Sequence, residues 1–136
     1  MNYKKIYIEI GKLLYAVAKA DGNIQSEEKL ALKEIVQQEL APLEASIDAF
    51  GSDQAFYAEF EFETLEANDV SYEDALKSFI NFAHTHPNLF NDQIIKLTFD
   101  AVKKIANAYQ GTDKIELEVI ALLNKEFKNI KSKGAQ

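Results

Sequence analysis

Apolar residues recur at helical spacing along most of this chain. The first stripe consists of Ile6, Ile10, Leu13, Leu14, Val17 and Ala18, which lie three or four positions apart. A polar corner follows at residues 21–25, where Gly22 favours a helix end. Ser26 and the acids after it favour a new helix, whose stripe continues through Leu32, Ile35 and Val36. Two amphipathic helices joined by so short a loop predict a helical hairpin.

The second half of the chain predicts three further helices. Ser71 and Asp74 have the spacing of a capping box, so a helix is expected over residues 72–86, and Pro87 ends it. Asn91 is the expected cap of the next helix. Gly111 precedes a last helix over residues 113–130. Residues 131–136 are expected to form a basic, frayed tail, outside a single domain that covers residues 1–130.

The segment between residues 41 and 68 carries conflicting signals. Pro42 ends or kinks the second helix, or opens a short helix near residues 43–50. Phe60 and Phe62 alternate with glutamates, which is a strand-like pattern. A lone strand has no partner in an otherwise helical chain, so we expect a helix or an irregular packed segment. The predicted fold is an all-α bundle of about six to seven helices.

The corner also matches the second half of an EF-hand calcium loop, from Asp21 to Glu28. The first and third ligand positions of such a loop would be Val17 and Lys19, which provide no oxygen ligand and lie within a helical pattern. The EF-hand interpretation therefore fails. The pattern Ala18-x-Ala20-Asp21-Gly22-x-Ile24-x-x-x-Glu28 instead resembles the signature of the tellurite-resistance TerB-like family, a module also similar to the N-terminal segment of membrane-anchored DnaJ-type co-chaperones.

The resemblance implies an all-helical single domain with a pseudo-twofold repeat. It also implies a divalent cation held by the acidic corner. A weaker copy of the corner occurs 88 residues later, where Glu116 corresponds to Glu28 and the apolar positions also match. Two pseudo-repeated helical hairpins are therefore expected. The second copy has Tyr109 and Gln110 in place of Asp21 and Gly22, so its corner lacks the acid.

Charge is distributed unevenly along the chain, whose net charge is −7. Residues 34–76 contain 12 acids and no basic residue, and all 15 cations of the chain are lysines. Without arginine, bidentate phosphate recognition is missing, and net acidity opposes polyanion binding, so nucleic acid is not an expected partner. The acidic middle is either a solvated surface or a face for a basic or membrane-associated protein. No apolar run predicts membrane insertion or a leader, and the absence of cysteine fits the cytoplasm.

The candidate metal ligands are Asp21 and Glu28, joined by Glu116 or Asp113 from the second copy. In the alternative interpretation, Asp21 accepts amides of its own turn and Glu28 only favours the start of a helix. His84 and His86 point about 200° apart on a helix and cannot chelate one metal.

No nucleophile constellation or phosphate loop is present in the sequence, so an enzyme is not expected. Five phenylalanines on or beside the apolar stripes are expected in the core: Phe79, Phe82, Phe90, Phe99 and Phe127. The favoured function is a non-catalytic protein-interaction module, in a stress-response or envelope-associated complex as the resemblance implies. The alternatives are a cation-responsive domain and an enzyme that uses acidic pairs.

Overall fold

A computed structural model describes the chain at residues 3–20, 24, 26–40, 56–108 and 113–134. Those residues contain six α-helices and no β-strand, which confirms the predicted all-α bundle. The helices are α1 (Tyr3–Lys19), α2 (Ser26–Ile35), α3 (Phe56–Ala67), α4 (Tyr72–Thr85), α5 (Asp92–Asn107) and α6 (Asp113–Gly134). A π-helical segment, Val36–Leu40, continues α2, and a 3₁₀ turn, Pro87–Leu89, links α4 to α5. The predictions for residues 41–55 lie outside the described part of the chain.

α1 is the central helix of the bundle. It packs against α3, α4 and α5, and it is buried on most of its circumference. The buried residues of α1 include the whole predicted stripe and extend beyond it to Tyr7, Tyr15 and Ala16. Gly11 lies directly against α3, where an added Cβ would clash with the carbonyl oxygen of Ala58. The missing side chain therefore allows the backbones of α1 and α3 to approach closely.

The strand-like segment is helical. α3 buries Phe62 completely and leaves Phe60 57% exposed. Two residues correspond to about 200° on a helix, so alternation in sequence places the two rings on opposite sides. Of the two expected alternatives, a helix or an irregular packed segment, residues 56–67 form the helix.

Local signals set the ends of the later helices as expected. The Ser71 hydroxyl accepts a hydrogen bond from the Asp74 amide at 3.1 Å, and the Asn91 side chain accepts one from the Ile94 amide at 2.9 Å. Each side chain satisfies an amide that has no partner within its own helix. Pro87 begins the 3₁₀ turn after α4. α6 continues to Gly134, past the predicted end at residue 130.

The two predicted hairpins differ in how they pack. α5 and α6 are packed neighbours, as expected for the second hairpin. Among the described residues, however, the main tertiary partner of α2 is α5 rather than α1. Two pairs of matching positions are nevertheless buried alike: Leu14 with Val102, and Ala18 with Ala106. The short loop limited the distance between α1 and α2 but did not decide which helix α2 would pack against.

The expected core aromatics form one cluster between α4, α5 and α6. The Phe79 ring lies 5.7 Å from that of Phe90 and 6.4 Å from that of Phe127, in edge-to-face geometry. Phe99 meets Phe127 at 5.7 Å, and Phe82 meets Phe90 at 6.1 Å. Such pairs stabilise a core beyond the area that they bury. The prediction that these rings are core residues is confirmed for Phe79, Phe90 and Phe127, while Phe82 and Phe99 are half-buried against that core.

Candidate functional site

The acidic corner is only partly described by the structure. Asp21 lies outside the described residues, and so do the side chains of Glu116 and Asp113, whose backbones belong to α6. Glu28 is described, and it is 1% exposed in the first turn of α2. Within the described part of the chain, no three His, Asp or Glu side chains form a group suited to a metal ion. The three-carboxylate metal site stays a prediction.

Glu28 is a buried carboxylate at the start of α2, and its burial has an energetic cost. Moving a carboxylate out of water costs free energy unless charge or hydrogen bonds stabilise it. The first turn of a helix supplies part of that stabilisation, because its free amides and its dipole favour negative charge. The interpretation of Glu28 as a helix-start residue is consistent with its place in the first turn of α2.

The two histidines point to different surroundings, as their spacing predicts. His84 Nε2 contacts the Glu126 carboxylate and thereby joins α4 to α6. The His86 ring stacks on Phe82 with 4.3 Å between centroids. Sequence reasoning missed Glu126 as a partner of His84, since the two residues are 42 positions apart.

A polar cluster unnoticed in the sequence joins α1 to α4. The buried Glu9 carboxylate forms an ion pair with Lys12 Nζ at 2.7 Å, and Lys12 also donates to Ser78 Oγ at 3.1 Å. Ser78 donates to Glu9 at 3.4 Å. The spacing of Glu9 and Lys12 suits an ion pair on one helix, but Ser78 had no sequence signal.

A second polar contact holds the end of α1 to the turn after α3. The Tyr15 hydroxyl donates to the Val70 carbonyl at 2.6 Å, and burial raises the pKa of this phenol. Lys19 donates to Asp69 at 2.8 Å, which raises the pKa of Lys19 and lowers the pKa of the Asp69 carboxyl. Asp69 adopts φ 49°, a left-handed conformation that aspartate tolerates better than most residues.

α3 presents apolar side chains to solvent. Phe56 is 36% exposed and Phe60 is 57% exposed, one turn apart on the side away from the buried Phe62. Glu63 and Ala67 continue this exposed row along the helix. We refer to Phe56, Phe60, Glu63 and Ala67 as the outer face of α3. Large aromatic rings that are exposed one turn apart on the same face of a helix are more typical of a protein-interaction surface than of a surface that only contacts water.

The surroundings of the outer face are acidic. α3 contains four glutamates and no basic residue. Glu66 is paired with Lys29 at 2.9 Å, while Glu59, Glu61 and Glu63 form no ion pair with any other described residue. Lys4 lies over the neighbouring Tyr57 ring at 4.6 Å. The outer face therefore combines exposed aromatic surface with uncompensated negative charge.

A groove of about 440 Å³ lies on the surface where α2 meets α5. The α2 side is lined by Glu27, Leu30, Ala31 and Glu34. The α5 side is lined by Lys103, Lys104, Asn107 and Ala108. Neither this groove nor the outer face of α3 was anticipated as a site from the sequence. The only sequence signal for the outer face of α3 was the high acid content of residues 34–76.

No protein-family model, no curated protein and no solved structure matches this chain. Every helix in the described part of the chain is too short or too polar to cross a bilayer.

Proposed function

We propose that this protein is a non-catalytic protein-interaction module that resembles the TerB-like family and binds a basic partner through the outer face of α3. The observation that carries this proposal is Phe60, a large apolar ring that is 57% exposed on a helix bearing only negative charge. The partner that fits is an amphipathic helix, with one apolar edge and lysines or arginines beside it.

The chemistry of the outer face supports such a partner. Aromatic rings bury much apolar area at a low cost in side-chain entropy, so they dominate the binding energy of many interfaces. Glutamates around such a ring attract cations over several ångströms and disfavour acidic partners. The close contact of α3 with α1 at Gly11 and Ala58 fixes the position of the helix that carries the rings, which reduces the ordering required on binding.

The test is titration of the full chain with a lysine-rich amphipathic helical peptide, followed by calorimetry. Phe60→Ala should weaken binding by about 2 kcal/mol, the loss expected for a central aromatic. Leu30→Ala is the matched control, since Leu30 is equally apolar and 63% exposed but belongs to α2. It should leave the affinity unchanged.

A second variant separates the charge from the ring. Glu59→Gln with Glu63→Gln should weaken binding and reduce its dependence on salt, because screening acts on exposed charges. Binding that is absent, or that is equal in wild type and Phe60→Ala, would contradict the proposal.

A further inference from the structure

The walls of the groove between α2 and α5 carry opposite charges. Glu27 and Glu34 lie two turns apart on α2, and Lys103 and Lys104 lie on the facing α5. Glu27, Glu34 and Lys103 form no ion pair with any other described residue. The groove therefore has an acidic wall and a basic wall that do not neutralise each other across it.

Leu30 lies between the two glutamates and is 63% exposed. A single exposed leucine on a surface is ordinary. This one lines the groove together with Ala31 and Ala108, and we refer to these three residues as the apolar strip of the groove. An occupant of the groove must therefore offer apolar surface flanked by positive charge on one edge and negative charge on the other.

We propose that the occupant is a second copy of this chain, and that the two copies are related by a twofold axis running along the groove. Such an axis exchanges left and right, so the acidic wall of each copy faces the basic wall of the other. Each Leu30 then packs against the α5 wall of the partner, where the lysine stems supply apolar surface. A twofold axis across the groove would instead place acid against acid, which is unfavourable.

The groove is better suited to self-association than the other exposed apolar surface. α3 contains no basic residue, so two outer faces of α3 would repel each other. The groove alone, among the surfaces described above, supplies both halves of its own charge complement. This inference does not depend on the proposed binding of a basic partner to α3.

Sedimentation velocity of the full chain tests the proposal. Wild type should dimerise as its concentration rises, and Leu30→Glu should raise the dimer dissociation constant by about tenfold or more, because it places a charge in the apolar strip. Phe60→Glu is the matched control on α3 and should leave the dimer intact. A wild-type monomer at concentrations up to about 1 mM would overturn the proposal. So would a dimer unaffected by Leu30→Glu.

A charge exchange tests the orientation of the two copies. Glu27→Lys/Glu34→Lys has two basic walls, and Lys103→Glu/Lys104→Glu has two acidic walls, so each variant alone should be monomeric. An equimolar mixture should restore dimers, since each wall again faces its opposite. Circular dichroism checks that each variant is folded. If the double variants unfold, the same test is repeated with the single variants Glu34→Lys and Lys103→Glu, alone and as an equimolar mixture. A mixture that stays monomeric while both folded variants lose the dimer would overturn the twofold arrangement.

Discussion

α1 and α3 pack against each other, but they distribute their apolar residues differently. α1 buries apolar side chains on most of its circumference because α3, α4 and α5 surround it. α3 has an apolar content that would also suit a core helix, yet it covers only one side of α1. Its Ala58 and Phe62 are buried, while Phe56 and Phe60 face solvent. Apolar residues indicate a core only where a neighbouring element lies in the direction that they point.

The difference between the buried side and the outer face of α3 is tested most strongly by substitution of Phe62 and Phe60. Phe62→Ala should reduce the free energy of unfolding by about 3–5 kcal/mol, through lost burial and a cavity against α1. Phe60→Ala should change it by no more than about 0.5 kcal/mol, since the ring is largely solvated already. Urea denaturation of both variants measures the difference. Equal losses would show that Phe60 is a core residue and not part of a binding surface.

The acidic corner that follows α1 offers the next test. If the domain responds to cations, millimolar calcium, magnesium, manganese or zinc should raise the melting midpoint of metal-stripped protein. The stabilisation is about 2.7 kcal/mol at one hundred times the dissociation constant. Asp21→Asn should abolish the rise, whereas Glu73→Gln, an exposed acid at the start of α4, should preserve it. If no cation raises the midpoint, the cation-responsive alternative is excluded.

The contact between α1 and α3 depends on the missing side chain of Gly11. Gly11→Ala should destabilise the fold by about 1–3 kcal/mol, because the new methyl group meets the Ala58 carbonyl, which belongs to the backbone and cannot rotate away. Alanine favours helix more than glycine does, by about 1 kcal/mol, so the contact must outweigh that gain. Thermal melts of Gly11→Ala and of Ala121→Gly, an exposed helical position in α6, separate the two effects. A stabilised Gly11→Ala variant would contradict this close approach.

The smallest expected effect concerns the ion pair at the end of α1. The folded state lowers the pKa of Asp69, so its contribution to stability is present at neutral pH and is lost as the pH falls through that lowered pKa. Asp69→Asn removes the charge and keeps a residue that tolerates the left-handed conformation. The gap between the wild-type and Asp69→Asn melting temperatures should therefore be slight at pH 7. It should begin to shrink as the pH falls below the ordinary aspartate value of about 3.9, and it should vanish only below the lowered pKa, where the folded carboxyl is protonated as well. Lys19→Gln should reproduce the same pH dependence.

Much of the fold follows from signals that act over a few residues. The stripe of α1, the caps at Ser71 and Asn91 and the stop at Pro87 need only local backbone geometry, so all of them were predictable. The segment 56–67 was harder, because Phe60 and Phe62 fit a strand by alternation and a helix by context. The candidate site was less predictable still. Asp21 and Glu28 belong to a local pattern, but the outer face of α3 depends on where α1 lies.

The sequence by itself determined that this protein is helical, where most helices begin and end, and that its middle is acidic. These properties depend on spacing, capping and composition, which neighbouring residues set. Only the tertiary structure decided that α2 packs on α5, that His84 meets Glu126, and that Gly11 lies against Ala58. It also decided which phenylalanine of α3 faces water. These outcomes depend on contacts between residues tens of positions apart. An apolar stripe shows which side of a helix will be buried, but it does not determine which other element of the fold will cover that side.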